Sequence, residues 1–259
     1  MSYLKKIRCV ETNDNKEILK IYGKYASKLE AKDIVNQKQI PNLYTAKVLG
    51  VYESYDEINI DTLPEKFVIK VTHWCGDTKI ITSKKMFHET KQKYKEHFDT
   101  LLKKVYGGKG EPHYKYIKPI LFVEEYLDFS THEYKFHCVH GKSITCYRPI
   151  ATQSFNFFDR DWNLMKISKC LQRFNYGSHE KPSFFENMLN IADQLSSGFD
   201  YVRVDLYVVD NKIYFGEYTI TPMGCNQNFN EREFEMFLLR LLKKETTYES
   251  EIEKFRYKK

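Results

Sequence analysis

Apolar and polar residues alternate most regularly near the end of the chain, over residues 201–219. Two apolar runs, 201–209 and 213–218, flank Asp210-Asn211-Lys212, and an Asp-Asn pair suits a tight turn between two strands. The segment therefore predicts a β-hairpin built mainly from valine, leucine, isoleucine, tyrosine and phenylalanine.

Three charged residues interrupt this apolar hairpin. Arg203 and Asp205 are two residues apart, so they share one face of the first strand, and a turn near 210–212 brings Glu217 roughly opposite Asp205. Charges in a strand core are costly unless they are paired or bound to a metal. From the hairpin alone, a structural salt bridge and a functional site account for these residues equally well.

Periodicity predicts further elements along the chain. Residues 13–38 are expected to form two helices, the second of which starts at 27, and further helices are expected at 84–104, 183–196 and 231–244. Strands are expected at 48–52, 67–71, 79–82, 119–127, 131–139 and 143–150. The helix at 183 is predicted to begin with a capping box, Ser183 followed three residues later by Glu186. Residues 106–110 read as a flexible turn without the P-loop pattern.

This order of elements predicts an α+β fold in two lobes with a hinge near 123–128. We expect a helical N-terminal segment at 1–45, a small lobe at 46–122, a large lobe at 123–244 and a charged tail at 245–259 that frays.

Lys70 is the one charged residue in the strand Phe67–Val71, and the loop 72–78 with Gly76 follows it. A lysine at a strand end, a loop containing glycine and a returning strand are compatible with a phosphate cradle. An edge lysine beside an ordinary hairpin loop is the alternative, and these residues by themselves favour it.

Charged residues also line one face of the strand predicted at 131–139. Glu133, Lys135 and His137 alternate with Tyr134, Phe136 and Cys138. A charged face on a central strand indicates that this face lines a cleft.

Asp159 and Asp161 form a D-x-D pair in a segment, 155–162, that we expect to be a loop. Spaced acids of this kind hold a metal-bound sugar nucleotide in glycosyltransferases. The pattern is common by chance, so it indicates a metal site only weakly.

Composition narrows the choice of function. The 259 residues are 42% hydrophobic and 15% aromatic, which supports a real core, and the net charge of +6 is too mild to indicate nucleic acid but suits an anionic substrate. The sequence has no signal-peptide pattern and no apolar run of about 18 residues, and its six cysteines are scattered without a C-x-x-C pair or a recognisable zinc ligand set. We therefore expect a cytoplasmic protein with free thiols.

Several ordered motifs resemble the ATP-grasp enzymes. The C-terminal signature of that superfamily is similar to Arg203-Val-Asp205, 212–217 and 219–222, its first phosphate-binding lysine to 67–70, and its adenine-binding hinge to 123–127. The resemblance is stronger to the TupA-like branch, which is associated with teichuronopeptide, capsule and other surface-polysaccharide synthesis. It covers roughly residues 40–230 and includes the segments 113–119, 133–136, 158–162 and 201–221.

The resemblance implies an ATP-grasp fold with ATP between two α+β lobes, a reduced N-terminal lobe and a role for each matching residue. Lys70 and Lys135 would contact phosphates, and Arg203 would stabilise the transferring phosphoryl group. Asp205 and Glu217 would ligate Mg²⁺. The other ATP-binding positions would be Gly76 in the loop, Glu124, Glu125, Tyr126 and Leu127 at the adenine, and Glu133 at the ribose.

Three departures from the superfamily pattern stand out. Thr219 occupies a position where many ATP-grasp enzymes have a metal-binding asparagine, Met223 stands where glycine is usual, and the loop 72–78 has fewer glycines than usual. These departures bear on the second metal position and on loop closure.

The function that the resemblance implies is an ATP-dependent carboxylate–amine ligase that acts through an acyl phosphate. Its substrates would be ATP with Mg²⁺, an amine and a uronic-acid-containing polysaccharide or its precursor. The protein would act at the inner face of the membrane if its basic tail makes peripheral contact there. A glycosyltransferase that uses Asp159 and Asp161 is the alternative, and a nucleotide-binding protein without catalysis is a third reading.

Overall fold

The computed structural model describes residues 2–105, 110–128, 133–151, 154–168, 180–225, 229 and 231–257. Its helices are α1 (Ser2–Arg8), α2 (Lys16–Ala26), α3 (Glu30–Gln37), α4 (Lys84–Leu102), α5 (Phe185–Ser196), α6 (Arg232–Leu242) and α7 (Tyr248–Glu251). Its strands are β1 (Leu43–Thr45), β2 (Val48–Tyr52), β3 (Phe67–Val71), β4 (Lys79–Ile81), β5 (Leu121–Glu125), β6 (Glu133–Val139), β7 (Lys142–Ala151), β8 (Ser154–Phe158), β9 (Tyr201–Val209) and β10 (Lys212–Thr219).

The strands of the described residues form two sheets. The small sheet has the order β2-β5-β3-β4, and the large sheet has the order β1-β10-β9-β6-β7-β8. Neighbours are antiparallel except for β1 and β10, which are parallel. The two sheets with their helices confirm the predicted α+β class.

The hairpin of β9 and β10 follows the sequence pattern closely. Asp210 and Asn211 have φ values of 48° and 61°, so both central residues take the left-handed conformation that a tight hairpin turn requires. Asp205 pairs with Glu217 as predicted, and a bulge between Phe215 and Glu217 shifts the register. Gly216 makes this bulge possible, since a Cβ there would lie 2.4 Å from the ring of Tyr207.

Both faces of the large sheet contribute to buried clusters. One face packs against α2, α3 and α5, and the other packs near α1, α6 and the C-terminal residues. A third cluster lies between the small sheet and α4. Within the described residues, no helix has both the length and the apolar character needed to cross a membrane.

Three local predictions were wrong. Helix α5 begins at Phe185, and Ser183 makes no capping hydrogen bond, so the predicted capping box does not form. Residues 154–158 form strand β8 where a loop was expected, because Phe157 and Phe158 are buried in the sheet core.

The third wrong prediction is the frayed tail. Tyr248, Ile252 and Phe255 are buried, since they complete the cluster around α6. Arg256 forms a bridge with Met165. The domain boundaries remain predictions. Of the turn predicted at 106–110, only Gly110 belongs to the described residues. Cys170 and the first two residues of the strand predicted from 131 also lie outside them.

Candidate functional site

Three neighbouring strands of the large sheet carry one row of charged residues. Asp205 on β9 is the register partner of Glu217 on β10 and of Lys135 on β6. The three side chains therefore lie on the same face of the sheet at the same level. This arrangement confirms that position 217 faces 205.

Asp205 is fully buried and compensated by two cations. The guanidinium of Arg203 donates from Nε and from its second terminal nitrogen to the two carboxylate oxygens, at 2.7 Å each, and the ammonium of Lys135 pairs with Oδ2. Burial would raise the pKa of Asp205, but Arg203 and Lys135 outweigh it and hold that pKa below its usual value. Asp205 is therefore ionised at neutral pH.

Glu217 differs from Asp205 because its side chain is 42% exposed. Its Oε1 atom accepts a hydrogen bond of 2.9 Å from Arg203 and another of 2.9 Å from the hydroxyl of Thr219. Thr219 therefore orients the glutamate in this structure. Carboxylate oxygens on adjacent strands are the donor type that Mg²⁺ prefers.

The fit to Mg²⁺ is unequal for the two carboxylates. Glu217 has an exposed carboxylate that fits without further change. Asp205 is closed off by its own cations, so it fits once Lys135 or Arg203 moves aside.

Lys135 also connects to the neighbouring acid on its strand. Its ammonium pairs with Glu133, and the hydroxyl of Tyr207 donates a 2.6 Å hydrogen bond to Glu133. Burial alone would lower the pKa of Lys135, but Asp205 and Glu133 raise it above its usual value. Lys135 is therefore a permanent cation.

A second charged cluster belongs to the small sheet. Glu124 on β5 is 1% exposed and lies between two lysines, pairing with Lys70 of β3 and, at 2.9 Å, with Lys32 of α3. Burial acts to raise the pKa of Glu124, yet the two lysines lower it. Lys32 also donates to the carbonyl of Ala46 at 3.1 Å. The carboxylate predicted to read adenine is thus the counter-ion of Lys70 and Lys32.

Residues of both clusters line one cavity of about 210 Å³, where Glu217 represents the large-sheet cluster and Arg203, Asp205 and Lys135 are not among the lining residues. Its walls are formed by Lys28, Lys32, Ala46, Lys70, Gly76, Thr78, Phe122, Glu124, Tyr207, Phe215, Gly216 and Glu217. Gly76 has a φ of 82° with open space around it, so the loop after β3 has at this position a conformation that other residues rarely adopt.

Some predicted residues lie away from this cavity. Glu125 accepts a 2.8 Å hydrogen bond from the backbone of Lys47, while Tyr126 and Leu127 line a separate cavity of about 1040 Å³. That larger cavity also contains Tyr134 and the hairpin tip at 208–211. We assign the chemistry to the smaller cavity because three lysines and two carboxylates line it together, and Glu217 connects it to Arg203.

The D-x-D pair is part of a turn. Asp159 is 1% exposed and accepts backbone hydrogen bonds from Asp161 and Asn163 at 2.9 and 2.8 Å. Arg256 donates to Asp159 at 2.6 Å and to Asp161 at 2.7 Å. The two acids are thus held by an arginine and by the turn itself.

With this geometry in place, sequence comparison identifies the family. The family described as TupA-like ATPgrasp matches residues 7–243. The chain belongs to the TupA-like ATP-grasp family. The predicted ATP-grasp fold is therefore confirmed, and no curated protein matches the chain.

Solved structures similar to this TupA-like chain include three ligases of low sequence identity. D-alanine–D-alanine ligase from Helicobacter pylori has a TM-score of 0.47 and 15% identity, over 85% of this chain and 60% of that one. The corresponding ligase from Bacillus anthracis, complexed with ATP, has a TM-score of 0.44 and 14% identity, over 76% and 53%. L-amino acid ligase from Bacillus licheniformis has a TM-score of 0.43 and 10% identity, over 76% and 40%. The chain thus spans about half the length of these enzymes.

Sequence reasoning missed the two lysines that the N-terminal helices bring to the TupA-like site. Lys28 lies between α2 and α3, and Lys32 lies on the buried side of α3 between Ala31 and Val35. The available signal was the four-residue spacing of these lysines along a face that also carries apolar residues.

Met223, where the superfamily usually has glycine, has a φ of 52° and is 70% exposed. The backbone keeps here the left-handed conformation that glycine adopts most readily.

Proposed function

We propose that this TupA-like ATP-grasp protein is an ATP-dependent ligase that joins an amine to a carboxylate. The observation that carries the proposal is the meeting of two charged clusters in one cavity. Lys70 and Glu124 come from the small sheet, and Glu217, tied to Arg203 and Asp205, comes from the large sheet.

The reaction proceeds in two steps under this proposal. A carboxylate oxygen attacks the γ-phosphorus of ATP, the bond to the bridging oxygen breaks, and ADP leaves with formation of an acyl phosphate. An amine then attacks the acyl carbon, inorganic phosphate leaves, and an amide forms with loss of the amine proton. Such transfers depend on charge neutralisation and positioning more than on covalent participation by the protein.

Cations of the two clusters neutralise the phosphates. Lys70 and Lys135 contact phosphate oxygens, and Arg203 contacts the transferring phosphoryl group or the carboxylate. Asp205 and Glu217 would hold Mg²⁺, which would supply further charge neutralisation on the phosphates. Glu124, the backbone of 125–127 and Glu133 position the adenine and ribose.

The carboxylate is proposed to belong to a uronic-acid-containing capsular or cell-surface polysaccharide or its precursor. This part is supported by what the resemblance to the TupA-like branch implies about surface polysaccharides and by the net charge of +6, which suits an acidic glycan.

Trapping with hydroxylamine tests the ligase chemistry directly. The protein is incubated with MgATP, glucuronate-type acceptors and hydroxylamine, which converts an acyl phosphate into a stable hydroxamate. We expect ADP and hydroxamate to form in equal amounts, and we expect Glu217→Gln to form neither. Glu53 is an exposed acid on the side of the small sheet, so Glu53→Gln should form both products in unchanged amounts. ATP binding without ADP release for any acid–amine pair would contradict the ligase function.

Calorimetry that compares ATP with UDP-sugars separates the alternatives. Binding of a UDP-sugar that is lost in Asp161→Ala supports a glycosyltransferase, although the pairing of Asp159 and Asp161 with Arg256 does not favour it. Nucleotide binding that survives without any turnover supports a protein that binds ATP but catalyses nothing.

A further inference from the structure

Lys28 joins the N-terminal helices to the loop that follows β3. Its backbone N–H donates to the carbonyl of Thr72 at 3.2 Å, and its ammonium donates to the carbonyl of Trp74. These two bonds fix Lys28 against the loop 72–78. The side chain lines the 210 Å³ cavity together with Lys70, Gly76 and Glu217.

The charge of Lys28 is compensated differently from that of its neighbours. Lys32 and Lys70 each pair with Glu124, whereas among the described residues no carboxylate oxygen lies within 4.0 Å of the Lys28 ammonium. Burial lowers the pKa of Lys28 and Lys70 lowers it further, while Glu217 acts against both. An ammonium has three N–H donors, and a buried cation is stabilised when it is paired with an anion.

The position of Lys28 in the cavity indicates which anion it binds. It lies beside Gly76 and Glu217, whereas the adenine is expected near residues 125–127 after β5. An oxyanion that enters the cavity would meet Lys28 and Lys70 together with the carboxylate of Glu217, where Mg²⁺ is proposed. The terminal phosphoryl group of ATP has this chemistry.

We propose that Lys28 binds the γ-phosphoryl oxygens of ATP, so that the N-terminal helices supply a phosphate-contacting cation to the ATP site. This proposal rests on the proposed ligase function, because it assumes that ATP occupies the cavity. It adds a third lysine, from a part of the chain outside both sheets, to Lys70 and Lys135.

Comparison of two nucleotides tests this contact. Calorimetry measures the Kd of ADP and of AMP-PNP, a non-hydrolysable ATP analogue, each with Mg²⁺. In Lys28→Gln, which keeps an N–H donor for the Trp74 carbonyl but has no charge, we expect the Kd of AMP-PNP to rise about tenfold more than that of ADP, the size of effect typical for loss of one charge-assisted contact. Lys28→Arg should keep most of the preference for AMP-PNP.

Lys24→Met is the matched control, since Lys24 is exposed on α2 one turn earlier. It should change neither Kd by more than about twofold. Thermal melting checks that each variant is folded. If Lys28→Gln does not fold, Lys28→Met replaces it as the uncharged variant.

Each other result overturns the contact. An equal loss of affinity for both nucleotides means that Lys28 only supports the loop, and unchanged affinity for both means that it contacts no nucleotide phosphate. Failure of the unmodified protein to bind either nucleotide is a distinct result, which overturns the proposed function itself.

Discussion

Asp205 and Glu217 face each other across the β9–β10 hairpin, yet their side chains are 1% and 42% exposed. Both were predicted as metal ligands from the same sequence signature. Their surroundings differ because Asp205 is enclosed by Arg203 and Lys135, whereas Glu217 borders the cavity.

This difference predicts that Asp205→Asn and Glu217→Gln separate stability from activity. Asp205→Asn removes the anion that Arg203 and Lys135 share and leaves them with only Glu217 and Glu133 as ion-pair partners among the described residues, so the free energy of unfolding should fall by about 3 kcal/mol, the lower end of the range for a broken buried pair. Glu217→Gln should lower it by less than about 1 kcal/mol, since an exposed pair contributes little. Denaturant unfolding at pH 7 measures both values, and ADP release in the presence of Mg²⁺ should be lost in Glu217→Gln even though it is folded. Equal destabilisation by the two changes would contradict this account.

The burial of Glu124 between two lysines predicts that its substitution destabilises the protein on the small-sheet side of the site. Glu124→Gln removes the only carboxylate that pairs with both Lys32 and Lys70 within the described residues. Because Lys32 is 6% exposed, its charge would be left buried, and the free energy of unfolding should fall by about 3–5 kcal/mol. Glu53→Gln is the control, because it breaks only the exposed pair with Lys118. The idea fails if Glu124→Gln unfolds at the same denaturant concentration as that control.

His113 predicts how stability depends on pH. Burial lowers its pKa from 6.5 to about 3, and Arg8 adds to the effect. The unfolded chain therefore binds more protons than the folded one between these two values, so the stabilising effect of the neutral ring is complete above pH 6.5 and is lost as the pH falls toward 3.

The slope assigned to His113 can be measured. It approaches about 1.4 kcal/mol per pH unit below pH 6 in the unmodified protein and should be smaller in His113→Gln. His88→Gln, at an exposed position on α4, should keep the original slope. Denaturant unfolding at several pH values between 4 and 7.5 gives the three slopes, and identical slopes for all three proteins would show that His113 does not titrate as described.

The hairpin could be predicted from the sequence because its signals are local. Alternation over 201–219 and the Asp210-Asn211 turn fix the register of the hairpin up to Phe215, and the bulge between Phe215 and Glu217 then brings Glu217 opposite Asp205. Lys70 was found for a similar reason, since it is the one charged residue in its predicted strand. Lys135 was found because it lies on a charged strand face with Glu133 and His137.

The rest of the site depends on contacts between distant segments. Lys28 lies between α2 and α3 and Lys32 lies in α3, in a region that carries many lysines. Only the packing of this region shows that Lys32 is buried and Lys28 half-buried. Tertiary packing also explains why two predictions in the C-terminal half, the capping box at Ser183 and the frayed tail, were wrong. Ser183 has the spacing of a capping residue although α5 begins two residues later, and the charged tail contains Phe255, which is buried beside α6.

Gly216 and Tyr207 predict a coupling between the bulge and the ring beside it. A Cβ at position 216 would lie 2.4 Å from Cε2 of Tyr207 and 3.1 Å from the carbonyl oxygen of Asp205. Gly216→Ala therefore forces the ring to move, which also strains its 2.6 Å hydrogen bond to Glu133. We expect the free energy of unfolding to fall by about 1–3 kcal/mol, the usual effect of overpacking.

A double-mutant cycle tests the cause of that destabilisation. In Tyr207→Ala the ring is absent, so adding Gly216→Ala should cost less than half of what it costs in the unmodified protein. Denaturant unfolding of the four proteins gives the coupling energy between the two positions. Additive costs would show that the carbonyl of Asp205, and not the ring of Tyr207, sets the requirement for glycine, and the bulge would then be fixed by the backbone of β9 itself.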